Sequence, residues 1–506
     1  MQQCRSAMQH VVRFGSRLLI VLIPFALLGC GGGDGSGLTV TSDPGPSPFI
    51  SLVRLTGSVL GSVIAVQYTI APMPGSVSAP VHVTYSIDAL EARGYVSHGT
   101  LTVPVIGLYA GYDNQVSLEL ARLGSDPVQL EVEITTESYV DPTGIYSQPD
   151  VVVKRASASS LGFSFIYIKS GLGSPVIVDT DGEIRWTAPG TSNSQSSVFV
   201  GDSFIIGNNQ QPIVYRLGLD GNFSQMSLPA SEYTDFTHDI EYGKLGLLAE
   251  VDAESGGVKD LDSNIIEMRA DDAVAILNHW DLGAILSNYM ISQGDDAAAF
   301  VRPGSDWFHL NSAIYDWRDD SVIVSSRENF VIKVDYSTGA IEWILGDPTK
   351  YWYTFPSLRA KALTLAPGGL YPIGQHGLSI TADGLLLLFN DGQGSLNEPA
   401  GEPAGQTRTY SAVSAYAVDP QTMSAQEAWR YDAGQQIYSP FCSAAYELPD
   451  RSLLVDYALA DNQTEALLVG LDSNHNVAFE LQYPTTECNT SWHARPIALD
   501  DLQITW

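Results

Sequence analysis

Ile177-Val-Asp-Thr-Asp-Gly-Glu-Ile-Arg-Trp186 reads as a strand, an Asp/Gly turn and a second strand ending in Trp. Val334-Asp-Tyr-Ser-Thr-Gly-Ala-Ile-Glu-Trp343 repeats the form, and Ala417-Val-Asp-Pro-Gln-Thr-Met-Ser-Ala-Gln-Glu-Ala-Trp429 is a lengthened copy. Tyr215-Arg-Leu-Gly-Leu-Asp-Gly221 and Val469-Gly-Leu-Asp-Ser-Asn-His475 are degenerate copies. Any one of these strings is an ordinary hairpin. Recurrence in one chain, with room for further units between the first two, points to a β-propeller, whose blades take ~40–50 residues. Radially packed four-stranded sheets bury Trp between blades and leave a central channel. The expected fold class is all-β: a six-bladed β-propeller over residues 160–506, preceded by a small N-terminal β-sandwich-like domain over 50–155.

Short strand signals support this, among them Val151–Val153, Ser203–Ile206, Ser321–Val324 and Leu385–Phe389. Asp181-Gly182, Asp220-Gly221 and Asp383-Gly384 punctuate them as turns. In the N-terminal part, Val63–Tyr68, Val81–Tyr85, Val116–Leu120 and Val128–Ile134 alternate apolar and polar residues, as strands with one buried face do. Long amphipathic helical patterns are few, and Asp271 to Asn288 is the best of them.

Residues 1–29 read as a lipoprotein signal peptide. Arg5, Arg13 and Arg17 form the positive region, and Leu18 to Leu28 form an apolar run shorter than the ~20 residues a membrane span needs. The run ends in Leu27-Leu-Gly-Cys30, a lipobox-like string with Cys30 as the residue to be acylated. Residues 30–49 form a Gly/Ser/Pro-rich tether. The expected localisation is the periplasm, with lipid anchoring to the outer membrane as the only membrane contact. With 25 basic and 57 acidic residues the net charge is −32. That balance repels nucleic acid and anionic lipid, so an anionic substrate needs a local cationic site. A homodimer is compatible with these features. Cys4 leaves with the signal, and Cys442 and Cys488 remain as a permitted disulfide in an oxidising compartment or as two buried thiols. Neither stands in a C-x-x-C pair, so no metal is expected.

The chemistry gathers in a few polar strings at apparent strand ends. The chain has only 9 histidines, and three of them stand in Asp235-Phe-Thr-His238-Asp-Ile, Asp306-Trp-Phe-His309-Leu-Asn311-Ser and Gly374-Gln-His376-Gly377. Ser325-Ser-Arg327 follows the second string, and Trp492-His493-Ala-Arg495 lies near the C-terminus. Imidazoles, an amide and a guanidinium on one scaffold can hold a tetrahedral anion and transfer a group from it.

Together with Val103-Pro-Val-Ile-Gly-Leu-Tyr-Ala-Gly-Tyr112 and the Trp343…Gly346-Asp347 end, these strings resemble the bacterial arylsulfotransferase (aryl-sulfate sulfotransferase) family, in order and from about residue 100 to the C-terminus. The resemblance implies a six-bladed propeller with an N-terminal β domain. It also implies transfer of a sulfuryl group from a phenolic sulfate donor to a phenolic acceptor in the periplasm, with no nucleotide cofactor, through a histidine. Gly377 departs from the larger or polar residue expected after the nucleophile, and the long Gly-rich loop Asp391–Gly405 suggests a different substrate range.

On this reading His376 is the catalytic nucleophile, because a neutral imidazole forms covalent intermediates. Arg327 grips two sulfuryl oxygens with a planar fork of donors. Asn311 donates to a third, and His309, two residues away, shares its face if both lie on one strand. His238 is the acid/base that protonates the leaving phenolate and deprotonates the acceptor. Asp239 reads as a structural partner, and His493 and Arg495 as weaker candidates for the same mouth. His82, His98, His279 and His475 read as structural. Trp307, Phe308, Tyr351, Trp352 and Tyr353 suit either an aryl platform or packing. A competing class is a non-catalytic lipid-anchored propeller acting as a binding or assembly module, which needs no such polar set. A hydrolase or lyase would need paired carboxylates, and no such string stands out.

Overall fold

The computed structural model describes residues 37–228 and 232–505. The signal peptide, with Cys4 and Cys30, lies outside the described residues. The chain is all-β, with three short α-helices among the described residues.

Between Phe165 and Pro496 six sheets follow one another, antiparallel except for the short strand Thr364–Leu365, which runs parallel at the edge of the fifth. The second runs through Ser197–Val200, Ser203–Gly207, Ile213–Gly218 and Phe223–Ser227, each strand pairing with the next. The third starts at Tyr233–Tyr242, the fourth at Leu310–Asp316, the fifth at His376–Ile380 and the sixth at Ala444–Glu447. The first sheet differs. Its strands Phe165–Ile168, Val176–Asp179 and Ile184–Trp186 are completed by Ala494–Pro496 from the C-terminus, which pairs with Phe165–Ile168. From the second sheet to the sixth, the leading strand of each lies against that of the next, and Ala444–Glu447 lies against Ala494–Pro496.

Apolar side chains join neighbouring sheets in turn. Val198, Ile205 and Val214 pack with Phe236, Ile240 and Val251. Ile314, Ile323 and Val331 pack with Leu378, Leu386 and Leu388, and Leu387 and Phe389 with Val455 and Tyr457. Ile166, Ile168 and Val178 pack with Leu454, Leu468 and Phe479, so the sixth sheet meets the first. Burial of one such side chain contributes about 1.5–3 kcal/mol.

All five Asp/Gly repeats fall between the third and fourth strands of a sheet. Gly182 shows why the turn needs glycine. Its φ is +93°, and a Cβ there would stand 2.7 Å from Pro149 Cγ. The third sheet alone lacks the repeat, and this is where the helical reading of 271–288 fails. Val274–Asp281 is the outer strand, paired with Val258–Ala270, and the helix is Leu282–Gln293. Asp281 caps it by accepting a 2.7 Å hydrogen bond from the Ala284 amide, which moves the helix start past the predicted one.

Two further sheets stand N-terminally, in the orders 39–44, 50–56, 100–106, 96–97 and 502–504, 81–86, 63–70, 113–122, 125–135. Ile50, Val53 and Leu55 share one apolar cluster with Val66, Tyr68, Val83 and Leu118. Three strands cross the domain bounds read from sequence. Thr39–Pro44, read as tether, pairs with Ile50–Thr56. Asp150–Val153 adds to the outer edge of the sixth sheet, and Leu502–Ile504 runs parallel to Val81–Ser86. The string 103–112 also gains a physical role. Fully buried Arg185 donates to the Gly107 carbonyl at 2.7 Å, stacks 3.7 Å over the Tyr109 ring and pairs with Asp179 at 3.2 Å. The N-terminal sheets are thus tied to the first of the six.

Candidate active site

Four histidines converge from the leading strands of four different sheets, and the regular ladder breaks where the chain delivers three of them. Pairing of Tyr233–Tyr242 shifts register between Phe236 and Ile240, around His238. Pairing of Leu310–Asp316 shifts between Leu310 and Ser312, and that of His376–Ile380 between His376 and Ser379. Such bulges bend a strand and re-aim its side chains. His309 sits before its strand with φ +51°, so it does not share a strand face with Asn311 as the i, i+2 rule suggested. Gly377 is also explained. Its φ is +56°, and a Cβ would stand 2.8 Å from the Ala444 Cβ. A larger or polar residue does not fit there.

The His238 ring centroid lies 4.8 Å from that of His309 and 6.3 Å from that of His376. His376 Nδ1 is 2.6 Å from His493 Nε2, which leaves His376 Nε2 as the free ring nitrogen. His493 Nδ1 faces Asp239 at 3.4 Å, and Asp239 is ion-paired with fully buried Lys169. His493, weakly weighted in the sequence, is the immediate partner of the nucleophile candidate. Asp239 is its partner in turn, and Arg495 extends the same charged row, with Nη2 3.5 Å from Asp239.

Arg327 is buried and donates through Nη1 to Glu328, with its guanidinium 4.6 Å over the Phe441 ring. Its Nε and Nη2 have no hydrogen-bond partner. A buried donor without a partner costs about 1–3 kcal/mol. Two free donors on one edge of the fork are what a bidentate anion satisfies. Asn311 is placed otherwise than expected. Its amide donates 2.9 Å to the Gln375 carbonyl, so it holds the backbone just before His376. The Gly-rich loop reaches the same rim. The Leu396 and Asn397 amides donate to Glu328 Oε2 at 2.6 and 2.9 Å, and Asn397 Nδ2 donates to Asp306 at 3.0 Å.

The charge states divide the histidines. Burial, then the electrostatics of the neighbouring imidazoles His493, His238 and His309, hold the His376 pKa well below the ordinary imidazole value. Burial also lowers that of His493, against the pull of Asp239. Burial works the same way on His238, but Asp262 outweighs it and the pKa stands above the ordinary value. Burial pushes Lys169 down to about 8, against Asp239. The site therefore pairs a neutral His376 with a neighbour, His238, that more readily carries a proton.

The structure thus brings together His238, His309, His376, His493 and, behind His376, Asn311, and it ties Arg327 to them through its backbone amide, which donates 3.0 Å to the His309 carbonyl. His82, His279 and His475 find partners elsewhere, in Thr69, Asn264 and Trp429. Of the aromatic candidates, Trp307, Phe308 and Trp352 are buried among Phe300, Phe330 and Phe355 and serve packing. The aromatic rings at the site are two that the sequence did not single out. Trp492 lies 5.5 Å from His238 and 6.3 Å from His376, and Phe441 lies under Arg327. Both pack on the Cys442–Cys488 disulfide. Asp262, between His238 and His309, was also missed, because no local signal marks a carboxylate that comes from two strands away in the sheet of His238.

Residues 150–493 match the model of the arylsulfotransferase (ASST) family. The arylsulfate sulfotransferase AssT of Escherichia coli O6:H1 (strain CFT073) is 29% identical over 42% of this chain and 39% of its own length. That of Lelliottia amnigena is 28% identical over 32% and 29% respectively. The alignments therefore span less than half the length of these relatives. Among solved structures, the Cps50 (Swd1) β-propeller domain of Myceliophteria thermophila aligns with a TM-score of 0.34 and 12% identity, over 65% of this chain and 87% of that one. With more than half of its residues under the family model, and with the catalytic-type histidines inside that stretch, the chain belongs to the arylsulfotransferase family.

Proposed function

We propose that this protein moves a sulfuryl group from a phenolic sulfate ester to a phenolic acceptor, without a nucleotide donor, by a ping-pong route through a sulfohistidine on His376. The observation that carries the reading is the His376–His493 pair: a buried, neutral imidazole whose Nδ1 is engaged at 2.6 Å, with Arg327, whose guanidinium has two unpaired donors, tied by its amide to the His309 carbonyl. In the first half-reaction the His376 Nε2 lone pair attacks sulfur and the bond from sulfur to the phenolic oxygen breaks. His238 gives a proton to the departing phenolate. Positive charge that develops on His376 passes through the Nδ1–H hydrogen bond to His493, which faces the carboxylate of Asp239. Arg327 holds the sulfuryl oxygens, as in other in-line transfers governed by position and charge. In the second half-reaction His238 takes the acceptor's proton, the phenolic oxygen attacks sulfur and the S–N bond breaks. His309, beside His238, completes the set, and Asn311 acts by holding the backbone ahead of His376.

The same reading takes the six sheets as the blades of a propeller, closed by Ala494–Pro496, and the two N-terminal sheets as a sandwich. Export to the periplasm and acylation at Cys30 belong to it on sequence grounds. The test is an assay of the purified protein with a chromogenic aryl sulfate, with and without added phenol. Phenol-dependent release is expected. Equal release without acceptor makes the protein a sulfatase, and no release over a broad donor panel favours a binding module.

A further inference from the structure

Asp262 stands where two imidazoles meet. Its Oδ1 lies 3.5 Å from His238 Nδ1 and its Oδ2 3.7 Å from His309 Nδ1. One ligand atom from each of the three residues falls within 4.8 Å of the other two. In a tetrahedral zinc site with bonds of about 2.0–2.2 Å, neighbouring ligand atoms stand roughly 3.3 Å apart. The carboxylate-to-imidazole distances of 3.5 and 3.7 Å are near that value, and the widest separation, up to 4.8 Å, must close by up to about 1.5 Å through side-chain rotation. Asp306, hydrogen-bonded to His309 Nδ1 at 2.6 Å, brings a second carboxylate to the same point, and an ion bound at Nδ1 takes the place of that hydrogen bond.

Polar capacity is left over at this point. His238 Nδ1 is buried with the Asp262 carboxylate at 3.5 Å but no aligned hydrogen bond, and Asp306 Oδ1 is buried with no hydrogen-bond partner. Asp262 itself is held at φ +46°, a conformation uncommon for a non-glycine residue and often found at functional sites. The side chains of His309 and Asp306 are the most open of the group, at 24% and 29% exposure, so an ion reaches the cluster from the mouth of the pocket.

We propose that His238, Asp262 and His309 form a binding site for a divalent transition metal of the zinc class, and that the bound ion arrests the enzyme. Two imidazoles with carboxylate oxygens are a borderline donor set that suits zinc, copper or nickel and disfavours magnesium or calcium. The consequence for turnover rests on the proposed acid/base role of His238; the binding itself does not. Coordination displaces any proton on Nδ1 and leaves the proton on Nε2. A metal-bound imidazole is a weaker acid than imidazolium, so it assists the leaving phenolate poorly. It also offers no free lone pair at Nε2, so it cannot take the acceptor's proton. The metal is then a brake on the site rather than a cofactor of the reaction.

Equilibrium dialysis of tag-free protein against zinc alone, with cobalt as a spectroscopic stand-in, tests the site without any activity. One equivalent bound and the visible bands of tetrahedral cobalt are expected. Both are lost in Asp262→Ala and in His309→Gln, each checked by circular dichroism for a folded β protein. No binding, or binding undiminished in both variants, overturns the site. In the transfer assay, saturating zinc lowers turnover of a poor-leaving-group donor by roughly 100-fold, the scale of acid/base assistance, and a chelator restores it. Zinc bound with turnover unchanged overturns the arrest. Should the protein transfer nothing at all, the proposed function fails while the dialysis result still decides the metal site.

Discussion

His376 Nδ1 and His493 Nε2 lie 2.6 Å apart, although 117 residues separate them in the chain. One begins the leading strand of the fifth sheet, and the other precedes the C-terminal strand that completes the first. The contact fixes which nitrogen of His376 is free and, in the proposed mechanism, gives the developing charge an exit toward Asp239. Replacing His376 by Asn should abolish both sulfuryl labelling by donor alone and turnover, a loss of roughly four to six orders of magnitude for a covalent nucleophile. Mass spectrometry of an alkaline-quenched digest checks it. A label on Tyr or Ser, or an active His376→Asn protein, removes the assignment.

Because burial and then the neighbouring imidazoles hold the His376 pKa well below 6.5, His376, the proposed nucleophile, stays neutral as pH falls through that value. The rate of labelling by a nitrophenyl donor, which leaves unaided, should stay flat from pH 7.5 down through 6.5. A fall centred at or above 6.5 in single-turnover kinetics contradicts this.

In the proposed mechanism His493 acts through His376, so its loss should lower kcat with little change in donor KM. His493→Phe is expected to cost roughly 100-fold, and His493→Gln, which keeps a polar partner for Nδ1, to recover part of it. A change in KM with kcat intact would instead place His493 in donor binding.

The unpaired Nε and Nη2 of Arg327 are placed for two oxygens of one anion. Arg327→Lys keeps the charge but loses the fork. Donor kcat/KM should fall by roughly 100-fold, equal to about 2.7 kcal/mol, within the range of hydrogen bonds to charged groups. A variant within threefold of the parent would show that charge alone suffices.

The Cys442–Cys488 bond closes a loop of 46 residues, worth roughly 4 kcal/mol by restriction of the unfolded chain. Phe441 and Trp492 pack on it, so Cys442→Ala/Cys488→Ala should lower both the unfolding midpoint and kcat. Alkylation of the denatured, unreduced chain followed by peptide mapping should mark neither cysteine. Two marked cysteines would rule the bond out.

Buried Asp456 accepts from Ser491 Oγ and from the Ala494 amide at 2.8 Å, and burial raises its pKa to about 7. The folded state therefore keeps a proton that the unfolded chain gives up near 3.8. Stability from this group is full below 3.8 and is lost as pH rises toward 7. Asp456→Asn, which cannot ionise, should gain in Tm relative to the parent as pH rises from 4 to 7. A difference that is constant over this range refutes the raised pKa.

The repeat of Asp/Gly turn and Trp was legible because it is local. A hairpin turn needs glycine at positive φ and a strand needs alternation, and both are written in neighbouring residues. For the same reason His238, His309, Arg327 and His376 stood out as polar strings at strand ends. The helix at 282–293 was misplaced because Val274–Asp281 carries apolar residues that suit either structure, and only its partner, Val258–Ala270, makes it a strand. What sequence by itself determined was the class of the sheets, the order of the chemistry along the chain and the cysteines free to bond. What the tertiary structure alone decided was how that chemistry meets. Register breaks at Phe236–Ile240, Leu310–Ser312 and His376–Ser379 re-aim side chains in ways no alternation rule foresees. The partners of the site, His493 to His376, Asp262 to His238 and Phe441 to Arg327, come from other strands and other sheets. Contacts between residues far apart in the chain leave no local pattern, because they depend on the packing of whole sheets rather than on the residues beside them.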